Sequence, residues 1–137
     1  GEELYTTLLG AMTEGAEAAG RDPESIDRII EVKVAYDRDL QTAKDSCRPW
    51  AALALTGEEK AGIEDALKMQ EAAESAADRA HTRFIVADDP QAVVDGVRFY
   101  AELGFRQLVF HLPSDDQASQ LAAFTADVLP ALRAEFS

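Results

Sequence analysis

Arg28-Ile29-Ile30-Glu31-Val32-Lys33-Val34-Ala35-Tyr36 is the stretch on which the fold turns. Ile30, Val32, Val34 and Tyr36 alternate with Ile29, Glu31, Lys33 and Ala35. Successive side chains of a strand point to opposite faces, so both faces here are largely apolar. A strand buried on both sides belongs to a parallel sheet with helices or a closed barrel around it. The second face carries one charged pair, Glu31 and Lys33, two residues apart. Those two can neutralise each other inside a barrel or between layers, or one of them can meet a ligand.

Further along, Gln107–Leu112 is a second strand, continuous and apolar through Leu108, Val109 and Phe110. A helix precedes it: Asp89 is a good N-cap, Pro90 fits the first helical position, and Gly104 ends the helix. Val93, Val94, Val97 and Ala101 give that helix a buried stripe. At the front of the chain, Glu2–Ala19 reads as an amphipathic helix on Tyr5, Leu8, Leu9, Met12 and Ala16, with Gly20 as C′ residue and Asp22-Pro23 as the following turn. At the back, Ser114 and Gln117 form a capping-box pattern for a last helix with Leu121, Phe124, Val128 and Leu132 on one face.

The order is helix, strand, a long excursion over about 37–89, helix, strand, helix. Connections in such units usually take ~2–6 residues, and longer ones are functional as a rule. In parallel α/β folds ligands sit at the carboxyl ends of strands, where this excursion starts. Two parallel strands and three helices cannot cover a sheet on both faces and both edges. A complete (β/α)8 barrel takes ~250 residues. The fold class expected is therefore α/β, the C-terminal portion of a TIM barrel: its last two strands, their helices and a long helical insertion, with residues 1–137 as part of one domain.

Within the excursion, Asp37–Cys47 reads as a polar turn and short helix, stopped by Arg48-Pro49-Trp50. Ala51–Leu55 is a short apolar run of open type. Thr56-Gly57-Glu58-Glu59 is a capping box, and Lys60 follows in the first turn. A cation there opposes the helix dipole, a penalty that an anionic ligand would reverse. Alanine-rich helix runs on to about Arg79 with a break near Gly62, and Phe84–Ala87 is a short extended apolar run. Lys60 and Arg83 are the residues here suited to hold an anion: a point charge and a forked guanidinium match phosphate oxygens. Both are expected on the strand-to-helix side of the barrel.

The formal net charge of -13, from 26 acidic and 13 basic residues, speaks against nucleic acid and against anionic membrane surfaces. The plain account is a solvated acidic surface, and a small phosphorylated ligand needs only two or three local cations. Cys47 is the single cysteine, which suits a reducing cytoplasm. No apolar run reaches the ~18 residues of a membrane span. The first residues, Gly1-Glu2-Glu3, already lie in a helical pattern without an initiator Met, which suggests a chain cut from something longer.

Several motifs together resemble one family. They are Gly1-Glu2-Glu3-Leu4-Tyr5-Thr6; Glu31-x-Lys33 with Tyr36-Asp37-x-Asp39; and Arg48-x-Trp50-Ala51-x-Leu53-x-Leu55-Thr56-x-Glu58-x-Lys60. Arg83-x-Ile85-Val86-Ala87-x-Asp89-Pro90, Leu108-Val109-Phe110-His111 and Asp116-Gln117 complete them. The chain resembles the C-terminal part of the F420-dependent glucose-6-phosphate dehydrogenases of the bacterial-luciferase-like superfamily. The resemblance implies a (β/α)8 barrel whose seventh and eighth strands lie here. It implies oxidation of glucose 6-phosphate to 6-phosphogluconolactone, with hydride passing to coenzyme F420, and a homodimer. It assigns Lys60 and Arg83 to the substrate phosphate, with a further Lys falling before residue 1.

The catalytic His and Glu, the active-site Trp and the main F420 contacts belong to earlier strands of that family. No catalytic, cofactor-binding or metal-binding residue is therefore expected in this chain, which by itself should be inactive and needs the remainder of the barrel. Neither His81, His111 nor Trp50 matches the catalytic positions: Trp50 reads as a packing anchor, His81 as a helix-end residue, and His111 as a structural histidine or a pocket edge.

The chain differs from the family at Ala52 and Ala66, where prolines are usual, at Phe84 for Trp, and at Ser114-Asp115 for Gly-His. These differences bear on the sugar pocket and leave the phosphate pair intact. Two other readings stay open: an F420- or FMN-dependent relative with another substrate, and a non-catalytic half-barrel that self-associates through open strand edges.

Overall fold

A computed structural model describes residues 2–136. Its centre is β1, Ile29–Tyr36. Two strands pair with it in parallel: β2, Ile85–Ala87, along Val34–Tyr36, and β3, Gln107–His111, along Ile29–Lys33. The apolar run after Phe84 thus forms a third strand beside the two that the alternation predicts. The sheet order is β2-β1-β3. Strands of a barrel follow one another round the wall in chain order, so β2 would stand in the middle. Here β3 covers the second edge of β1 instead. The physical reason is that β1 carries the longest buried run and an unpaired edge is costly.

The two connections lie on opposite faces of the sheet. The segment after β1 packs on Ala35, together with Cys47, Ala51, Leu55, Ala76 and Ala80. Helix α5, Pro90–Glu102, joins β2 to β3 across the other face, where Val93, Val94 and Val97 meet Val32, Val34 and Tyr36. Reversing the direction of travel along the sheet moves a right-handed crossover to the opposite face, as seen here.

The remaining elements are α1 (Glu2–Ala18), α2 (Leu40–Ser46), α3 (Gly57–Lys60) and α4 (Ala66–Ser75). Near the end come α6 (Gln117–Ala123) and α7 (Leu129–Phe136). The 3₁₀ turns Arg48–Ala54 and Ala77–Arg83 complete the arm that replaces a short β1–β2 connection. Expected punctuation is present. Thr56 and Glu59 exchange main-chain bonds in a capping box (2.7 and 3.2 Å), and Asp89 caps α5. Gly20, Gly62 and Gly104 hold positive φ, and Gly62 breaks the alanine-rich run before Asp65 caps α4. Burial pushes the Cys47 thiol up to about 11, so it is an apolar filler rather than a reactive group.

Two expectations at the chain ends change. Tyr5 docks α1 edge-on against Phe99, Tyr100 and Phe105, while Leu8 faces outward. The last helix is capped by Asp116, which accepts from the Ser119 N–H (3.1 Å). Ser114 accepts instead from the Asp116 N–H (3.1 Å), a local turn that competes with capping. A π turn, Phe124–Val128, links α6 to α7. Its wider winding keeps a four-residue spacing on one face, so Gln120 joins Phe124, Val128 and Leu132 inside while Leu121 is 57% exposed.

Phe124 packs on Phe110 with ring centroids 4.9 Å apart. Phe124→Ala should therefore cost about 3–5 kcal/mol of unfolding free energy, and Leu121→Ala under about 0.5 kcal/mol. Urea unfolding followed by circular dichroism measures both, and equal effects would contradict the described helix face.

Candidate substrate-binding site

The arm is fixed at its root by charge. The Tyr36 hydroxyl donates to Asp127 Oδ2 (3.1 Å), and Arg38 donates through Nε and Nη2 to both Asp127 oxygens (2.8 and 3.0 Å). The Arg38 hydrogen bond holds the Asp127 carboxyl below its ordinary value, while burial, followed by Asp127, raises the Tyr36 phenol. These bonds bind the exit of β1 to the π turn, on the side opposite the arm.

At its middle the arm is held by an aromatic contact. The Trp50 indole N–H donates to the Pro113 carbonyl (2.9 Å), and its ring meets His111 nearly perpendicular at 4.4 Å. Trp50 ties the arm to the end of β3 by these two contacts, yet at 36% exposure it lies outside both buried cores, unlike the packing anchor that the sequence suggests. His111 Nδ1 lies 3.5 Å from Glu31 Oε1, and Lys33 Nζ lies 2.9 Å from the same oxygen. Those bonds, chiefly the one from Lys33, keep the Glu31 carboxyl below the usual range. Beneath the arm the sheet face is open: Ile29 and Val109 are each 53% exposed.

Arg83 is exposed and ends the 3₁₀ turn just before β2. It therefore stands at the amino end of β2, level with the middle of β1, and not at a strand's carboxyl end as expected. The reason is that β2 is short and starts opposite Val34. Arg83 lines a polar cleft of about 300 Å³ with Tyr5, Glu31, Lys33, Thr82 and Tyr100. Lys60 is exposed at the end of α3 and does not line that cleft. Among the described residues neither Lys60 nor Arg83 makes an ion pair, so each charge is free for a ligand. The elements that carry them are joined by the ion pair between Arg79 and Glu59 (2.5 Å). His81 sits in the same 3₁₀ turn, facing a separate small depression with Lys44, Arg48 and Asp78.

A larger depression of about 520 Å³ lies within the arm itself, lined mostly by apolar residues such as Pro49, Ala52, Ala66, Met69 and Ala73, with Arg48, Gln70 and Glu74 as its polar lining. No strand residue lines it. No group of three or more His, Cys, Asp or Glu suited to a metal occurs among the described residues. No helix among them is long and apolar enough to cross a membrane.

Comparison with known proteins identifies the lineage. The profile of the luciferase-like monooxygenase family matches residues 2–107. The chain belongs to the luciferase-like monooxygenase family. Within it, the chain is similar to a protein of Nakamurella multipartita named F420-dependent glucose-6-phosphate dehydrogenase, 49% identical over 96% of this chain and 39% of the relative. A protein of the same name from Beutenbergia cavernae is 46% identical over 98% of this chain and 40% of its own length. The chain thus spans about two fifths of the length of these curated relatives. Among solved structures, an F420-dependent secondary alcohol dehydrogenase in complex with an F420-acetone adduct matches at TM-score 0.66 and 23% identity, over 88% of this chain and 36% of the other. That likeness supports the fold, and with the shares covered it marks this luciferase-like chain as a portion of a TIM barrel.

The sequence left the Glu31–Lys33 pair open between mutual neutralisation and contact with a ligand, and the structure places both in the cleft beside Arg83. Tyr5 and Tyr100 were missed as cleft residues, since the α1–α5 contact is tertiary.

The Arg79 hydrogen bond and the Thr56 main chain hold the Glu59 carboxyl down to about 2. A depressed carboxyl stabilises the folded state above its unfolded value near 4.5, and that contribution fades as pH falls toward 2. Amide protection of Glu59 and Lys60 should be constant from pH 7 to 5 and drop progressively below that. Glu59→Gln should remove the pH dependence, as read by hydrogen exchange.

Proposed function

We propose that the chain is part of an F420-dependent oxidoreductase that oxidises glucose 6-phosphate to 6-phosphogluconolactone, and that its own share is to hold the substrate phosphate. The observation that carries this is the 46–49% identity of nearly all of its residues to F420-dependent glucose-6-phosphate dehydrogenases. Lys60 and Arg83, both without ion-pair partners among the described residues, are the phosphate ligands in this reading. A guanidinium forks onto two phosphate oxygens, and an ammonium adds a point charge.

These residues do not by themselves build an F420 site. The 520 Å³ depression is an alanine-walled hollow inside the arm, and the cleft beside Arg83 is polar and small. No step through the cofactor is therefore assigned to this chain, and the groups that move the hydride lie in the part of the relatives that the chain does not span. The remainder of the barrel, covering the open sheet face at Ile29 and Val109, is the first partner this reading requires. It also carries a homodimer and a cytoplasmic setting, which the lone buried Cys47 suits. Residues 37–89 act as the insertion that carries the ligands.

The full-length protein carrying these residues should reduce F420 with glucose 6-phosphate. Lys60→Glu and Arg83→Glu should each raise KM for glucose 6-phosphate about tenfold or more, with KM for free glucose unchanged. Failure of glucose 6-phosphate to reduce F420 would sink the activity. Equal effects on both sugars would remove the phosphate role.

A further inference from the structure

Every residue of α3, Gly57–Lys60, is exposed. Its hydrogen bonds are mostly local: the capping box between Thr56 and Glu59, the Lys60 N–H on the Thr56 carbonyl (3.2 Å), and the Ile63 N–H on the Lys60 carbonyl (3.1 Å). Among the described residues, the ion pair of Glu59 with Arg79 (2.5 Å) is the one bond that ties α3 to a distant segment. Arg79 itself is well fixed. It belongs to the 3₁₀ turn Ala77–Arg83, whose Ala80 is buried in the core of the arm, and its carbonyl accepts from the Thr82 hydroxyl (2.7 Å). Arg83 ends the same turn, and Lys60 follows Glu59 directly. Lys60 lies outside the cleft that Arg83 lines, so apart from the chain itself this ion pair is what relates the two charges. Residue 59 is an open position of the Arg48–Lys60 motif, and Arg79 lies outside every motif that carries the family resemblance.

We infer that Glu59 and Arg79 are positioning residues whose ion pair holds Lys60 in place relative to Arg83 before the ligand arrives. The inference rests on the sugar-phosphate reading for the role of Lys60, and it deepens that reading by naming what fixes the main chain beneath this cation. An exposed four-residue helix with no buried side chain has little to hold it. Tying it to a turn seated in the arm's core removes part of the ordering cost that binding would otherwise carry. Both partners belong to the arm, and neither lies on a strand. The capping box is a separate device: it shapes the start of α3 but leaves open where α3 sits, and that is set by Arg79. Because the pair is exposed, its effect on affinity is modest, several-fold rather than many orders of magnitude.

Steady-state kinetics of the full-length protein with glucose 6-phosphate and with free glucose test this. Arg79→Met breaks the tether and leaves the capping box intact. It should raise KM for glucose 6-phosphate about threefold, the effect falling on neither kcat nor KM for free glucose, and Arg79→Lys should restore most of the loss. Introduced into Lys60→Met, the same substitution should add nothing, because Arg79 acts through Lys60. A rise that persists undiminished in the Lys60→Met background marks a general electrostatic role and overturns the inference. An unchanged KM in Arg79→Met, or an equal rise for both sugars, overturns it too. Should Arg79→Met not fold, Arg79→Gln, which keeps a polar side chain at this exposed site, carries the same comparison. No effect of Lys60→Met alone, with a raised KM in Arg83→Met, removes the tether and leaves the sugar-phosphate reading standing on Arg83. Failure of the unaltered protein to reduce F420 with glucose 6-phosphate removes both.

Discussion

Everything in this chain depends on enclosing the carboxyl half of β1. Val34, Ala35 and Tyr36 are buried, and they alternate between two separate cores. Val34 and Tyr36 need a helical layer on one side, which α5 and the C-terminal helix supply. Ala35 needs a layer on the other, which the arm supplies. Burying about 25 cal/mol for each Å² of apolar surface favours both layers at once. A strand covered on both faces can be followed only by crossovers, so parallel pairing with β2 and β3 follows.

The amino half of β1 obeys a different constraint. Its outer face still packs through Val32, but Ile29 and Glu31 on the other face stay exposed because the arm reaches only as far as Ala35. The result is a sheet closed at its carboxyl end and open beneath. Lys33, Glu31 and His111 collect at that border, where a charge can be both fixed by neighbours and reached by solvent. Anion chemistry is favoured at such a border: water is partly excluded, which strengthens each charge-assisted bond, yet no charge has lost its hydration entirely.

Much of the fold is legible in local sequence. The Thr56 and Asp89 caps, the stop at Pro49 and the glycine break at Gly62 rest on rules acting within a few residues, and each stands where the sequence puts it. The capping pattern at Ser114 does not, because Asp116 lies two residues on and offers a better acceptor. Leu121 is lost from the buried stripe for a similar reason: a π turn changes the winding, and no residue type announces one. Arg83 was legible as an anion ligand from its chemistry, but its place at the amino end of β2 depends on where β2 begins.

The sequence by itself determined that β1 carries apolar residues on both faces, that the chain is α/β, and that a helical arm with two free cations interrupts the usual short connection. Residue types and their periodicity suffice for that, since they set which faces are apolar. Only the tertiary structure decided that β1, not β2, stands at the centre, and that Arg83 lines one cleft with Glu31 and Lys33 while Lys60 lies outside it. Periodicity fixes the face of a side chain and is silent about the neighbour on each edge. That choice is made by main-chain hydrogen bonds between segments far apart in the chain.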